Sequence, residues 1–129
     1  MTSIFKVSIL FLAISIAALA CQNATTSNTS EPKEIDFEEF TRMASKKNVV
    51  VLDVRVPYEY ENWHFEGARL MDYDNGQFAA EKASLDKSKT YLLYCHTTRR
   101  SSDAAKELAA MGIKSYYLKG GYSSLPSVK

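Results

Sequence analysis

Three short apolar runs, NVVVLDV (48–54), TYLLYC (90–95) and KSYYL (114–118), recur along the chain with helix-patterned segments between them. Runs of this length, rich in β-branched and aromatic residues, read as strands. Strands that are apolar at consecutive positions must be covered on both faces, so the alternation predicts an α/β fold with a mainly parallel sheet flanked by helices.

The intervening segments fit that frame. In FEEFTRMASKK, Phe37, Phe40 and Met43 recur at helical spacing. Pro57 opens PYEYENW at a first helical position, where its missing N–H costs nothing. ARLMDY reads as a short strand and GQFAAEKASL as a further helix. From Ser102 to Ala110, Ala104, Ala105, Leu108 and Ala109 share one face, and Gly112 can end the helix in a left-handed cap. No internal repeat and no second domain is visible.

The first twenty residues are of another kind. Lys6 precedes VSILFLAISIAALA, an uncharged apolar segment that ends in small residues before Cys21, the pattern of a secretory signal peptide at 1–20. The segment is short for a bilayer and has no basic anchor after it, which argues against a membrane-spanning helix. AALAC, followed by the polar QNATTSNTSEPK, resembles the lipobox of bacterial lipoproteins. That resemblance implies lipidation of Cys21, an exported, periplasmic or cell-envelope protein held to a membrane by its N-terminal lipid, and a flexible linker at 21–33. Ala18 stands where that family usually has Leu. The folded domain is expected at 34–129.

Sixteen basic and 15 acidic residues leave a formal net charge of +1, with no cationic excess to hold nucleic acid. The two cysteines then raise a question of chemistry. With Cys21 lipidated, Cys95 has no disulfide partner within an exported chain.

Cys95 stands where TYLLYC ends, and in open α/β sheets ligands bind beyond the carboxyl ends of the strands. CHTTRR then leads into a helix, whose N-terminal N–H groups favour a thiolate or bound anion. Arg99 and Arg100 add positive charge, which stabilises the ionised, nucleophilic thiol. A buried structural cysteine is the plainer alternative.

CHTTRRS is similar to the active-site loop of the rhodanese family, whose pattern is Cys, two variable residues, Gly, one variable residue, Arg and often Ser. Cys95, Arg100 and Ser101 fall on their places. VVVLDVRVPYEYENWHFEGA matches that family's upstream signature at Asp53, Arg55, Pro57, Glu59, His64, Gly67 and Ala68, and YYLKGGY resembles its closing strand and Gly-Gly turn. The resemblance spans Ile35 to Pro126.

It implies a rhodanese-like domain with a five-stranded sheet, and a sulfurtransferase or sulfur carrier in which Cys95 becomes a persulfide. The donor would be a small sulfur-containing anion such as thiosulfate or polysulfide, and the acceptor a thiol, cyanide or a protein. His96, Thr97, Thr98, Arg99, Arg100 and Ser101 would line the substrate loop. No metal or organic cofactor is implied. Asp53, Arg55 and His64 read as hydrogen-bonded structural residues, Trp63 and Tyr94 as packing, and Tyr122 as a candidate for the pocket mouth.

Thr98 departs from the pattern by replacing the loop glycine. A left-handed backbone at a β-branched residue costs about 1 to 2 kcal/mol, so either the loop takes another path or its surroundings hold the strain. The Thr97 and Thr98 hydroxyls are candidates to supply donors that the altered backbone does not.

Related phosphatase loops have five residues between Cys and Arg. Four separate Cys95 from Arg100, a cradle that suits sulfur better than phosphate. The remaining alternatives are a non-enzymatic rhodanese-like binding module and a thiol-redox module.

Overall fold

The computed structural model describes residues 31–126. The signal-like segment, Cys21 and most of the linker lie outside those residues. Among the described residues, no helix is long and apolar enough to cross a membrane.

The elements run β1 (Lys33–Ile35), α1 (Phe37–Ala44), β2 (Val49–Asp53), α2 (Pro57–Asn62), β3 (Arg69–Leu70), α3 (Gln77–Glu81), β4 (Thr90–Tyr94), α4 (Arg99–Ala110) and β5 (Ser115–Leu118). Short 3-10 turns follow α3 at Lys82–Ser84 and β5 at Gly121–Ser124. Five strands form one sheet in the order β1-β5-β4-β2-β3, and every pairing is parallel.

Local chemistry explains the helix boundaries. Asp36 caps α1 by accepting the Glu39 N–H at 2.9 Å, and Phe40 and Met43 on its inner face are buried. Pro57 is the first residue of α2, as its fixed φ favours. After α4, Gly112 adopts φ 76° and closes the last turn.

The sheet separates two apolar layers. On one face Leu52, Val54 and Leu93 meet Phe78 of α3 and Ala104, Ala105 and Leu108 of α4. On the other, Val51, Leu92, Tyr94 and Leu118 meet Phe40 and Met43 of α1, with Tyr60, Trp63 and Phe65 at the border. All five residues of β4 are buried, as a central strand of a doubly covered sheet requires.

Two boundaries differ from expectation. Lys33, assigned to the linker, belongs to β1 and pairs with Tyr116, while Ile35 pairs with Leu118. This edge strand of three residues has two exposed positions, so it lacks the apolar run that marked the others. Helix α4 begins at Arg99 rather than Ser102, because the Ser102 N–H already donates to Thr98 O at 2.9 Å.

Chain order reverses between β4 and β2, which are neighbours at the centre. The chain leaves β2 toward α2 on one face and leaves β4 toward α4 on the other. A crevice forms at such a switch point, and Cys95 stands at it.

Candidate active site

Cys95 follows the last residue of β4, and its side chain is buried, with 1% exposure. Its Sγ lies 3.4 Å from Ser101 Oγ, which donates to Thr98 O at 3.0 Å. With that hydroxyl proton engaged, Ser101 accepts from the thiol; if the sulfur ionises, the same hydroxyl can turn and donate to it.

The loop from His96 to Thr98 opens directly into α4. Among the described residues, the N–H groups of His96 to Ser101 donate to no protein acceptor. They form the unsatisfied start of a twelve-residue helix, an environment that favours negative charge beside Cys95.

The Gly-Gly turn holds this loop from behind. Tyr122 and Ser123 donate their N–H groups to the carbonyls of Cys95 and His96 at 2.8 and 2.9 Å. Gly120 N–H donates to Thr98 Oγ1 at 3.0 Å. A Cβ on Gly121 would fall 2.0 Å from Thr97 O, so only glycine permits the approach.

Thr98 itself has φ −145°, so the loop takes another path and carries no left-handed strain here. Its hydroxyl oxygen acts as an acceptor for the Gly120 N–H, rather than as a donor replacing loop backbone.

Above the loop lies a cleft of about 530 Å³ lined by Val56, Glu59, Asp74, His96, Thr97, Arg99 and Arg100. Arg100 bonds carboxylates rather than loop carbonyls. It donates to Glu59 Oε2 at 3.2 Å through both terminal nitrogens and to Asp74 Oδ2 at 3.0 Å. Burial opposes its charge, but Glu59, Cys95 and Asp74 outweigh that and hold its pKa above the ordinary value.

His96 is exposed, with Nδ1 3.5 Å from Glu59 Oε1, and Arg99 is exposed without a salt-bridge partner among the described residues. Thr98 and Ser101 shape the loop from below and do not line the cleft. The sequence reading omitted Glu59 and Asp74 from the site. Glu59 was visible only as a signature match on α2. Asp74 is placed by a turn in which Asp72 Oδ1 accepts the N–H groups of Asp74 and Asn75 at 3.0 and 3.2 Å.

Behind the site, Asp53 accepts from Arg55 N, Nε and a terminal nitrogen at 2.7 to 3.1 Å, and from Tyr94 Oη at 2.6 Å. Arg55 also donates to Trp63 O at 2.6 Å and lies over the rings of Tyr94 and Tyr122. Desolvation opposes the charge of Arg55, yet the bonds to Asp53 raise its pKa. These residues fasten the ends of β2 and β4, as their structural reading predicts. His64 stacks on Tyr60 with ring centroids 3.7 Å apart, and its Nδ1 meets Tyr60 O at 2.8 Å. Tyr122, a candidate for the pocket mouth, lines a smaller cleft with Arg55, Tyr58, Glu59, Asn62 and His96 rather than the cleft above the loop.

Among the described residues, no group of three or more His, Cys, Asp or Glu side chains could hold a metal ion. The fold and site therefore define a doubly covered parallel α/β protein with a cysteine at the switch point and an anion-favouring loop above it. The rhodanese-like domain profile matches residues 36–125, and the chain belongs to that family.

It is 33% identical over 93 residues to the thiosulfate sulfurtransferase of Coxiella burnetii, covering 71% of this chain and 85% of that protein. It is 30% identical over 95 residues to the tRNA sulfurtransferase of Pyrobaculum aerophilum, covering 74% of this chain but only 18% of that longer protein. In fold it is similar to a rhodanese-related protein of Thermoplasma volcanium, with a TM-score of 0.64 and 23% identity over 71% of this chain and 88% of that one.

Proposed function

We propose that the protein is an exported sulfurtransferase or sulfur carrier in which Cys95 carries a sulfane sulfur from a donor of the thiosulfate or polysulfide kind to a thiophilic acceptor. The observation that carries this reading is the placement of Cys95 Sγ beside Ser101 Oγ at the base of a loop whose N–H groups have no protein acceptor among the described residues. The names of the matching sulfurtransferases support the same class of reaction.

With thiosulfate, the Cys95 thiolate attacks the outer sulfur. A new S–S bond forms on Cys95, the donor's S–S bond breaks, and sulfite leaves with its electron pair. The resulting persulfide is anionic, and the loop N–H groups and the start of α4 stabilise it without reorganising. A thiophilic acceptor then attacks the terminal sulfur and regenerates the thiolate. Ser101 adjusts its hydroxyl to the charge on sulfur, while His96, Thr97, Arg99 and Arg100 form the entrance.

The intact mass of the purified protein after incubation with thiosulfate or polysulfide tests this. We expect one added sulfur, removed by cyanide or a thiol and absent in Cys95→Ser. The 1% exposure of Cys95 favours a second reading, an inert binding or thiol-redox module. In that case the mass would remain unchanged, or would show a glutathione adduct after exposure to glutathione disulfide.

Export and anchoring rest on the apolar segment before Cys21 and the polar stretch after it. Incorporation of labelled palmitate that is lost in Cys21→Ser is the expected outcome.

A further inference from the structure

Resting on the sulfur-transfer reading, we infer that the donor is an amino-acid persulfide, a persulfidated thiol with a nearby ammonium and carboxylate, and that Glu59 and Asp74 select it over thiosulfate. The cleft above the loop is not a simple cationic funnel. Two carboxylates, Glu59 and Asp74, face two guanidinium groups, Arg99 and Arg100, so its formal charge is zero with His96 neutral.

Arg100, which is half-buried and whose charge is coupled to Cys95, is already shared between both carboxylates at 3.0 and 3.2 Å. A small dianion could reach Arg100 only at its remaining donors, Nε and one Nη2 hydrogen, and would then lie close to both carboxylates. Arg99 alone offers a guanidinium without a carboxylate partner among the described residues.

An amino-acid head group meets both signs at once. Its ammonium fits Glu59 and Asp74, whose side chains keep 22% and 45% exposure and so remain reachable. Its carboxylate fits Arg99, and a cleft of about 530 Å³ has room for the whole molecule where a sulfate-sized anion would leave most of it filled with water. The persulfide tail then points toward His96 and Thr97, the loop residues that follow Cys95 and line the cleft.

The step balances without an added oxidant. The Cys95 thiolate attacks the terminal sulfur of R–S–SH, the Cys95 S–S bond forms, and the donor's S–S bond breaks. The thiolate R–S⁻ leaves with the electron pair, and the proton stays on the transferred sulfur until the new persulfide ionises. The electrostatic gain lies in the two carboxylates, because charge-assisted hydrogen bonds to an ammonium are lost altogether when that group is acylated.

The test follows the rate of sulfur loading onto Cys95 of the full chain by intact mass, with cysteine persulfide, N-acetylcysteine persulfide and thiosulfate as the three donors. Cysteine persulfide should load about tenfold faster than either of the others, the loss expected for a missing charge-assisted bond. Glu59→Gln and the more exposed Asp74→Asn should each bring the ratio of the cysteine persulfide rate to the N-acetylcysteine persulfide rate down toward one. Equal rates for the free and acetylated persulfides, or a preference for thiosulfate, would overturn the selection by Glu59 and Asp74 while leaving sulfur transfer standing. Failure of all three donors to load a thiol that still alkylates would overturn sulfur transfer itself, and this inference with it.

Discussion

At the scale of single residues, Gly121 has the least freedom to change. Its φ is 58°, and a Cβ would lie 2.0 Å from Thr97 O and 2.5 Å from Cys95 O. Gly112 also has positive φ, 76°, but nothing lies within 4 Å of its missing Cβ. Gly112→Ala should therefore cost only the left-handed strain, about 1 to 2 kcal/mol. Gly121→Ala must also push the Cys95 loop aside, and should cost more than about 3 kcal/mol while slowing sulfur loading. Urea denaturation of both variants checks the difference, and equal losses would contradict it. Asp53 is a second sensitive point, since among the described residues it is the one carboxylate paired with Arg55, and it also accepts from Tyr94. Asp53→Asn should remove about 3 to 5 kcal/mol by leaving the Arg55 charge unmatched, measurable in the same titration. The hydrogen-bonded, structural role of Asp53 and Arg55 was legible because Asp53 ends a buried strand and Arg55 follows two positions on. The Glu59 and Asp74 bonds to Arg100 were not, because they join residues 41 and 26 positions apart through the closing of the sheet.

At the scale of elements, the start of α4 decides the form of the loop. Thr98 occupies the N-cap with φ −145° and anchors the Gly-Gly turn through its hydroxyl. Thr98→Gly thus relieves no strain; it deletes one hydrogen bond and adds backbone freedom in the unfolded chain. We expect a loss of about 1 to 2 kcal/mol, whereas Thr98→Ser should retain most of the stability. A Thr98→Gly protein at least as stable as the parent would show that the hydroxyl anchor contributes nothing. Apolar runs made β2, β4 and β5 legible, and the alanine and leucine face did the same for α4. β1 escaped the residue pattern because its Lys33 and Glu34 are exposed, and it gains strand identity only by pairing with β5. The early start of α4 escaped for a related reason: Arg99, Arg100 and Ser101 carry no apolar periodicity, and their helical backbone follows from how the Gly-Gly turn holds the preceding loop.

At the scale of the whole molecule, hydrogen-bonded tyrosines join distant elements and set how the fold responds to pH. Tyr94, at the centre of the sheet, has its pKa raised by burial and then by Asp53. The pKa of Tyr73 is raised to about 12, first by its bond to Glu107 on α4 and then by burial and the charge of that carboxylate. Both folded values exceed the unfolded tyrosine value of about 10, so their contribution is complete below pH ~10 and is lost as pH rises through the folded values. Glu107 works in the opposite sense. Burial would raise its pKa, but the bonds from Lys82 and Tyr73 outweigh that and lower it. Its contribution is present above the unfolded glutamate value of about 4.3 and disappears as pH falls through the lower folded value. The unfolding free energy should therefore be nearly level around neutrality, fall on the acid side, and fall again above pH ~10. Tyr73→Phe should cost about 1 kcal/mol at pH 7 yet make the alkaline decline shallower, because the variant has one fewer phenol to ionise on unfolding. Denaturant titrations between pH 7 and 11 compare the two slopes directly. An alkaline slope unchanged in Tyr73→Phe would place the loss elsewhere, with Tyr94→Phe then testing the contribution of the buried sheet phenol.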